Sequence, residues 1–113
     1  MQDVDGHRSM QVVDLVPDLA AELARLLQAA GRRDLADQLS TLRIVERCRC
    51  RDDFCATFYT APPPRGAWGP GHETVALHPD EGYLNIDVLN GQIVSVEVLY
   101  RNNVRDLLRT LLP

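Results

Sequence analysis

The stretch Cys48-Arg49-Cys50-Arg51-Asp52-Asp53-Phe54-Cys55 holds all three cysteines of the chain. Thiolates are soft ligands that suit zinc, and a thiol beside cations becomes a nucleophile. The spacing is Cys-x-Cys-x4-Cys with no second cluster, unlike the paired Cys-x-x-Cys knuckles of structural zinc sites. In a strand, Cys48 and Cys50 share a face about 7 Å apart. Zn–S bonds of about 2.3 Å bring such a pair onto one ion only with local distortion.

The position of Cys55 depends on the turn that follows. A four-residue loop, Arg51 to Phe54, sets Cys50 opposite Cys55 and puts all three thiols on one face. His72 or His78 would then complete a metal site. A three-residue loop, Arg51 to Asp53, sets Cys50 opposite Phe54 instead. Cys48, Cys50, Phe54, Ala56 and Phe58 then point inward and Cys55 points the other way. Burial favours this second register, because each buried phenylalanine contributes roughly 1.5–3 kcal/mol. Cys48 and Cys50 then serve as small buried hydrophobes. Cys55 joins Arg43, Arg47, Arg49 and Arg51 on the opposite face, where cations lower a thiol pKa. Cys55 is therefore the candidate reactive thiol.

That arginine row is also a candidate recognition surface, since guanidinium forks suit carboxylates and phosphates. Its neutral reading is a solvated sheet face balanced by Glu73, Asp87 and Glu97 on other strands. Residues 61–72, Ala-Pro-Pro-Pro-Arg-Gly-Ala-Trp-Gly-Pro-Gly-His, make a stiff segment followed by sharp turns. Trp68, the only tryptophan, is either a plug over the sheet or a presented anchor. The sequence carries no phosphate loop, nucleophile elbow or HExxH motif. Its serines lack a His/Asp context, and the acid pairs Asp52-Asp53 and Asp80-Glu81 fall at predicted turns.

These residues must be positioned by a regular scaffold. Pro17 suits a first helical position, with Leu19, Leu23, Leu26, Leu27 and Ala30 as its apolar stripe and Gly31 as its stop. A shorter helix follows with Leu35 and Leu39 inward. The pattern then turns to period two, predicting strands at about 42–50, 54–60, 73–78, 83–89 and 93–100. Leu84, Ile86 and Val88 answer Val94, Val96 and Val98, which requires an odd-length loop or a bulge around Asn90-Gly91. Asn102 or Asn103 is expected to cap a last helix carrying Val104, Leu107, Leu108, Leu111 and Leu112. The expected fold class is α+β: an N-terminal helical hairpin, a five-stranded antiparallel meander sheet and a C-terminal helix. Residues 1–13 are expected as a flexible tail and 14–113 as a single domain.

The 113 residues carry a net charge of −4 with a pI near 5.2, and all twelve basic residues are arginine. That acidity argues against nucleic acid as a partner. A polar start and the absence of a long apolar run point away from the membrane and toward the cytoplasm. The segments CRCRDDFCATFYT and LNIDVLNGQIVSVEVLYR resemble parts of small, uncharacterised bacterial proteins, chiefly actinobacterial. That resemblance implies a bacterial cytosolic protein and carries over no activity, cofactor or site residue. The leading expectation is a non-enzymatic protein-interaction or adaptor module, immunity-like in one version, without a cofactor. Its partner surface would comprise Arg47, Arg49, Arg51, Tyr59, Arg65 and Trp68, with the open sheet face also suited to a homodimer. Two alternatives stand beside it. One is a small thiol-dependent enzyme or redox protein using Cys55. The other is a structural zinc protein using Cys48, Cys50, Cys55 and His72.

Overall fold

The computed structural model describes residues 10–113. Part of the expected tail, residues 1–9, lies outside the described residues. The rest of it is not a tail. Val12 is buried, its amide donates to the Leu42 carbonyl, and the Ile44 amide donates to Met10. A one-turn helix α1 (Val12–Leu15) leads into α2 (Pro17–Ala29), with Pro17 in the first turn. Leu19, Ala20, Leu23 and Leu27 of α2 are buried. Gly31, at φ 76°, ends the helix: the Arg32 amide reaches back to Leu27 and the Gly31 amide to Gln28. This left-handed stop satisfies the last carbonyls and favours glycine. The single turn α3 (Arg33–Ala36) buries Leu35, and Leu39 follows it into the core.

Five strands form one antiparallel sheet: β1 (Glu46–Arg47), β2 (Phe58–Tyr59), β3 (His72–Ala76), β4 (Tyr83–Leu89) and β5 (Gln92–Leu99). The sheet order is β1-β2-β5-β4-β3, so the expected meander is corrected at one step. β2 pairs with β5, Phe58 opposite Val96, and not with β3. The physical reason is burial. Phe58 and Val96 are fully buried, whereas β3 is exposed except for the partly buried Val75. A strand with only one partly buried residue belongs at an edge. The connection from Thr60 to Gly71 therefore runs between strands on either side of the β5–β4 pair.

The β4–β5 hairpin closes through Asn90 (φ 51°) and Gly91 (φ 82°), a two-residue turn of the kind that suits twisted strands. The expected bulge exists but lies within the strands. Register shifts between Asp87, opposite Ser95, and Val88, opposite Ile93. That shift keeps Leu84, Ile86 and Val88 facing Val98, Val96 and Ile93. The helix α4 (Asn102–Leu111) completes the fold with Val104 and Leu108 buried. Its N-cap is Arg101, and no side chain caps it, so the asparagine cap is corrected. Arg101 instead forks onto both Glu22 carboxylate oxygens at 2.8 Å and ties α4 to α2. No helix among the described residues is long and apolar enough to cross a membrane.

Candidate metal and ligand site on the open sheet face

β1 and β2 pair with Arg47 opposite Phe58, and the Cys48 amide donates to the Thr57 carbonyl at 2.9 Å. Extending that register sets Cys50 opposite Cys55 across the four-residue loop Arg51 to Phe54. The register that burial favoured is thereby overturned. Cys48 and Cys50 share the face of Cys55, and the three sulfurs lie within 4.8 Å of one another. None is a core hydrophobe; all three are half-buried.

The error lay in where the arginines go. Arg47 donates to the Leu112 carbonyl and Arg49 to Pro113 at 2.8 Å. Arg105 and Arg109 of α4 donate to the carbonyls of Asp53 and Asp52. Arg47 and Arg49 therefore lie along the helix side of an edge strand, where carbonyls left free at the α4 C-terminus attract cations. Cys55 does not share their face. Arg49 also pairs with Glu46 at 2.7 Å. Arg51 and Arg65 are exposed in loops.

Hydrogen bonding separates the three thiols. Burial pushes Cys48 up to about 11. Burial opposes ionisation of Cys55 as well, but hydrogen bonds from the Thr57 amide and hydroxyl and from the Cys50 and Cys48 thiols outweigh it. They hold Cys55 below the usual thiol range. Cys55 is thus the thiol of the cluster whose ionisation is favoured, and the groups that favour it are an amide, a hydroxyl and two thiols, not the arginines that the sequence suggested.

The tripod forms one end of a groove of about 400 Å³ across the open sheet face. Tyr59 and Trp68 wall it, their rings 6.4 Å apart and tilted by 50°. Trp68 is half-buried on this face, joining plug and groove wall in one residue. Burial, and then the negative charges of the thiolates and Asp87, keep the Tyr59 hydroxyl protonated above the usual phenol range. Beyond it stand Asp87, Ser95 and Glu97. Asp87 accepts from Ser95 at 2.7 Å and Thr74 at 2.9 Å, and lies 2.9 Å from His72 Nε2. Burial alone would raise Asp87, but these bonds prevail and hold it below the usual carboxylate range. Ser, Asp and His here do not make a nucleophilic triad. Ser95 is 2% exposed and donates to the carboxylate, while His72 bonds Asp87 and not the hydroxyl, so the serine–histidine step of a triad is not formed.

His72 does not join the thiols. It lies on the far edge strand β3, with its ring held by Asp87, and among the described residues the group of potential metal ligands comprises Cys48, Cys50 and Cys55. His78 is exposed between β3 and β4. The role of Asp87, Ser95 and Glu97 as groove residues escaped the sequence reading, although polar residues alternate with apolar ones along β4 and β5. A second feature also escaped it. Phe54 (40% exposed), Tyr100 (58%) and Tyr83 (57%) form a surface ladder, with ring centroids 5.4 and 6.1 Å apart. Tyr100 holds a left-handed backbone there, at φ 65°.

Comparisons of the chain with known protein families, with curated proteins and with solved structures returned no match. The functional reading therefore rests on the geometry of this site.

Proposed function

We propose that the protein binds one thiophilic metal ion through Cys48, Cys50 and Cys55, with zinc as the first candidate occupant. The observation that carries this reading is the convergence of three sulfurs within 4.8 Å on the open face of the sheet. Tetrahedral zinc at about 2.3 Å from each sulfur needs sulfurs about 3.8 Å apart, a change within reach of small side-chain rotations. Soft thiolates also favour Cu(I), so the ion is a matter for measurement. Three protein ligands leave the fourth position of a zinc ion exchangeable, the pattern of zinc sites that handle a ligand. All three thiols line the groove, which supports placing that position toward it.

Anaerobic titration of reduced protein with Co²⁺, and then displacement by Zn²⁺, tests the reading. Thiolate-to-cobalt charge-transfer absorption should saturate at about one equivalent, as a single tetrahedral site requires. Cys48→Ser, Cys50→Ser and Cys55→Ser should each weaken binding by more than the roughly 10–100-fold typical of losing an outer-shell partner. Absence of charge-transfer absorption, or uptake indifferent to all three substitutions, overturns the reading.

A further inference from the structure

The groove beyond the thiol tripod has a chemistry of its own. Its walls include three carboxylates, Asp52, Asp87 and Glu97, and no basic side chain among the described residues. This is notable in a chain with twelve arginines. Of the arginines nearest in sequence, Arg47 and Arg49 are engaged with backbone carbonyls at the α4 C-terminus, and Arg51 is exposed in the loop without lining the groove. Ser95 and Thr74 hold Asp87 through neutral hydroxyls, and His72 Nε2, 2.9 Å from the same carboxylate, offsets its charge only when protonated. Glu97 accepts from the neutral amide of Asn85 at 2.6 Å. Tyr59 and Trp68 add two tilted aromatic rings, and ring faces attract cations within about 6 Å. The volume, about 400 Å³, falls in the range of roughly 300–1,000 Å³ typical of small-molecule sites.

We infer that this groove binds a small organic cation, an alkylammonium or alkylguanidinium, between the Tyr59–Trp68 rings and the carboxylates of Asp87 and Glu97. The inference deepens the metal-site reading and rests on it only for the end of the groove formed by the thiols. A thiolate-bound divalent ion with three cysteines carries a net negative charge, so the occupied tripod adds to the attraction for a cation. An anionic ligand meets carboxylates and sulfurs, with no basic side chain among the described residues lining the groove to receive it.

Trp68 is the only tryptophan, so its fluorescence reports on the groove directly. Reduced metal-free protein and cobalt-loaded protein would each be titrated with butylguanidinium and with butylurea, its neutral near-isostere, at about pH 8, well above the ordinary carboxylate range. Butylguanidinium should give a saturable change at least about tenfold tighter than butylurea, a difference of about 1.4 kcal/mol. Glu97→Gln should weaken it by about tenfold while leaving the thermal unfolding curve in place. Asp87→Asn should weaken it similarly, but it also disturbs the brace on Ser95, so Glu97→Gln is the deciding variant. Equal responses to the two probes, or an unchanged response in folded Glu97→Gln, overturns the inference. A protein that takes up cobalt yet ignores butylguanidinium loses the inference alone. One that binds butylguanidinium but no cobalt loses the metal reading alone.

Discussion

Cys55 ionises ahead of Cys48 because donors surround it, and a proton stays on Cys48 because nothing comparable offsets its burial. A depressed pKa means a larger thiolate fraction at any pH below the ordinary thiol range, and thiolate is the reacting form. Brief treatment of metal-free protein with iodoacetamide at about pH 8 should therefore modify Cys55 before Cys48, read by peptide mapping. Thr57→Val removes the hydroxyl donor and should slow Cys55 severalfold. Equal rates at both positions would refute the assignment. The sign carries over to metal uptake. Cys48 must lose a proton held up to about 11, so at neutral pH binding releases protons and affinity rises with pH. The residue-scale chemistry was partly legible. Sequence singled out Cys55 by its arginine neighbours, which do not share its face, and it misplaced Cys48 and Cys50. Phe58 and Ala56 point inward in either register, so their burial could not decide the matter. The deciding partners, the Leu112 and Pro113 carbonyls for the arginines and Tyr100 for Phe54, are distant in sequence.

At the level of elements, β4, β5, α2 and α4 were readable because their apolar periods are strong, and the strand order was not. The β2–β5 pairing depends on Phe58 finding Val96, a contact that short connections do not announce. Gln38 illustrates the same limit. It follows α3 and reads as a solvent residue, yet its amide nitrogen donates to the Gly91 carbonyl at 2.7 Å. Its amide oxygen accepts from the Ile93 amide at 2.9 Å. One side chain thus pins the β4–β5 turn to the helical layer, beside the bulge that positions Ser95 and Asp87. Gln38→Ala leaves a peptide donor and an acceptor to water, and should cost about 1–2 kcal/mol in chemical denaturation. Gln38→Glu keeps the acceptor for Ile93 and loses the donor to Gly91, so it should fall between the two. A loss under about 0.3 kcal/mol for Gln38→Ala would show that the turn holds itself.

Across the whole molecule, the core and the thiol site are layered on opposite sides of the sheet. The buried cluster unites α2, α4 and the inward rows of β2, β4 and β5. The tripod sits on the other face, held by two strands of two residues each. A structural zinc protein unfolds when its ion is withdrawn. This arrangement predicts otherwise, because the core does not pass through the cysteines. Saturating metal should still stabilise the fold by linkage, about 2.7 kcal/mol at a free concentration one hundred times Kd. Its removal should loosen the hairpin selectively. The Val45 amide, bonded to Tyr59, and the Cys48 amide, bonded to Thr57, should exchange hydrogen faster after chelation. The amides between β4 and β5 should keep their protection, because their pairing is backed by the helices. Hydrogen exchange followed by mass spectrometry, with and without a chelator, separates these regions. Loss of protection across β4 and β5 as well would make the ion a support of the entire fold. Unchanged protection throughout, in protein shown to have released its metal, would mean that the hairpin is preorganised and that the sulfurs converge without help from the ion.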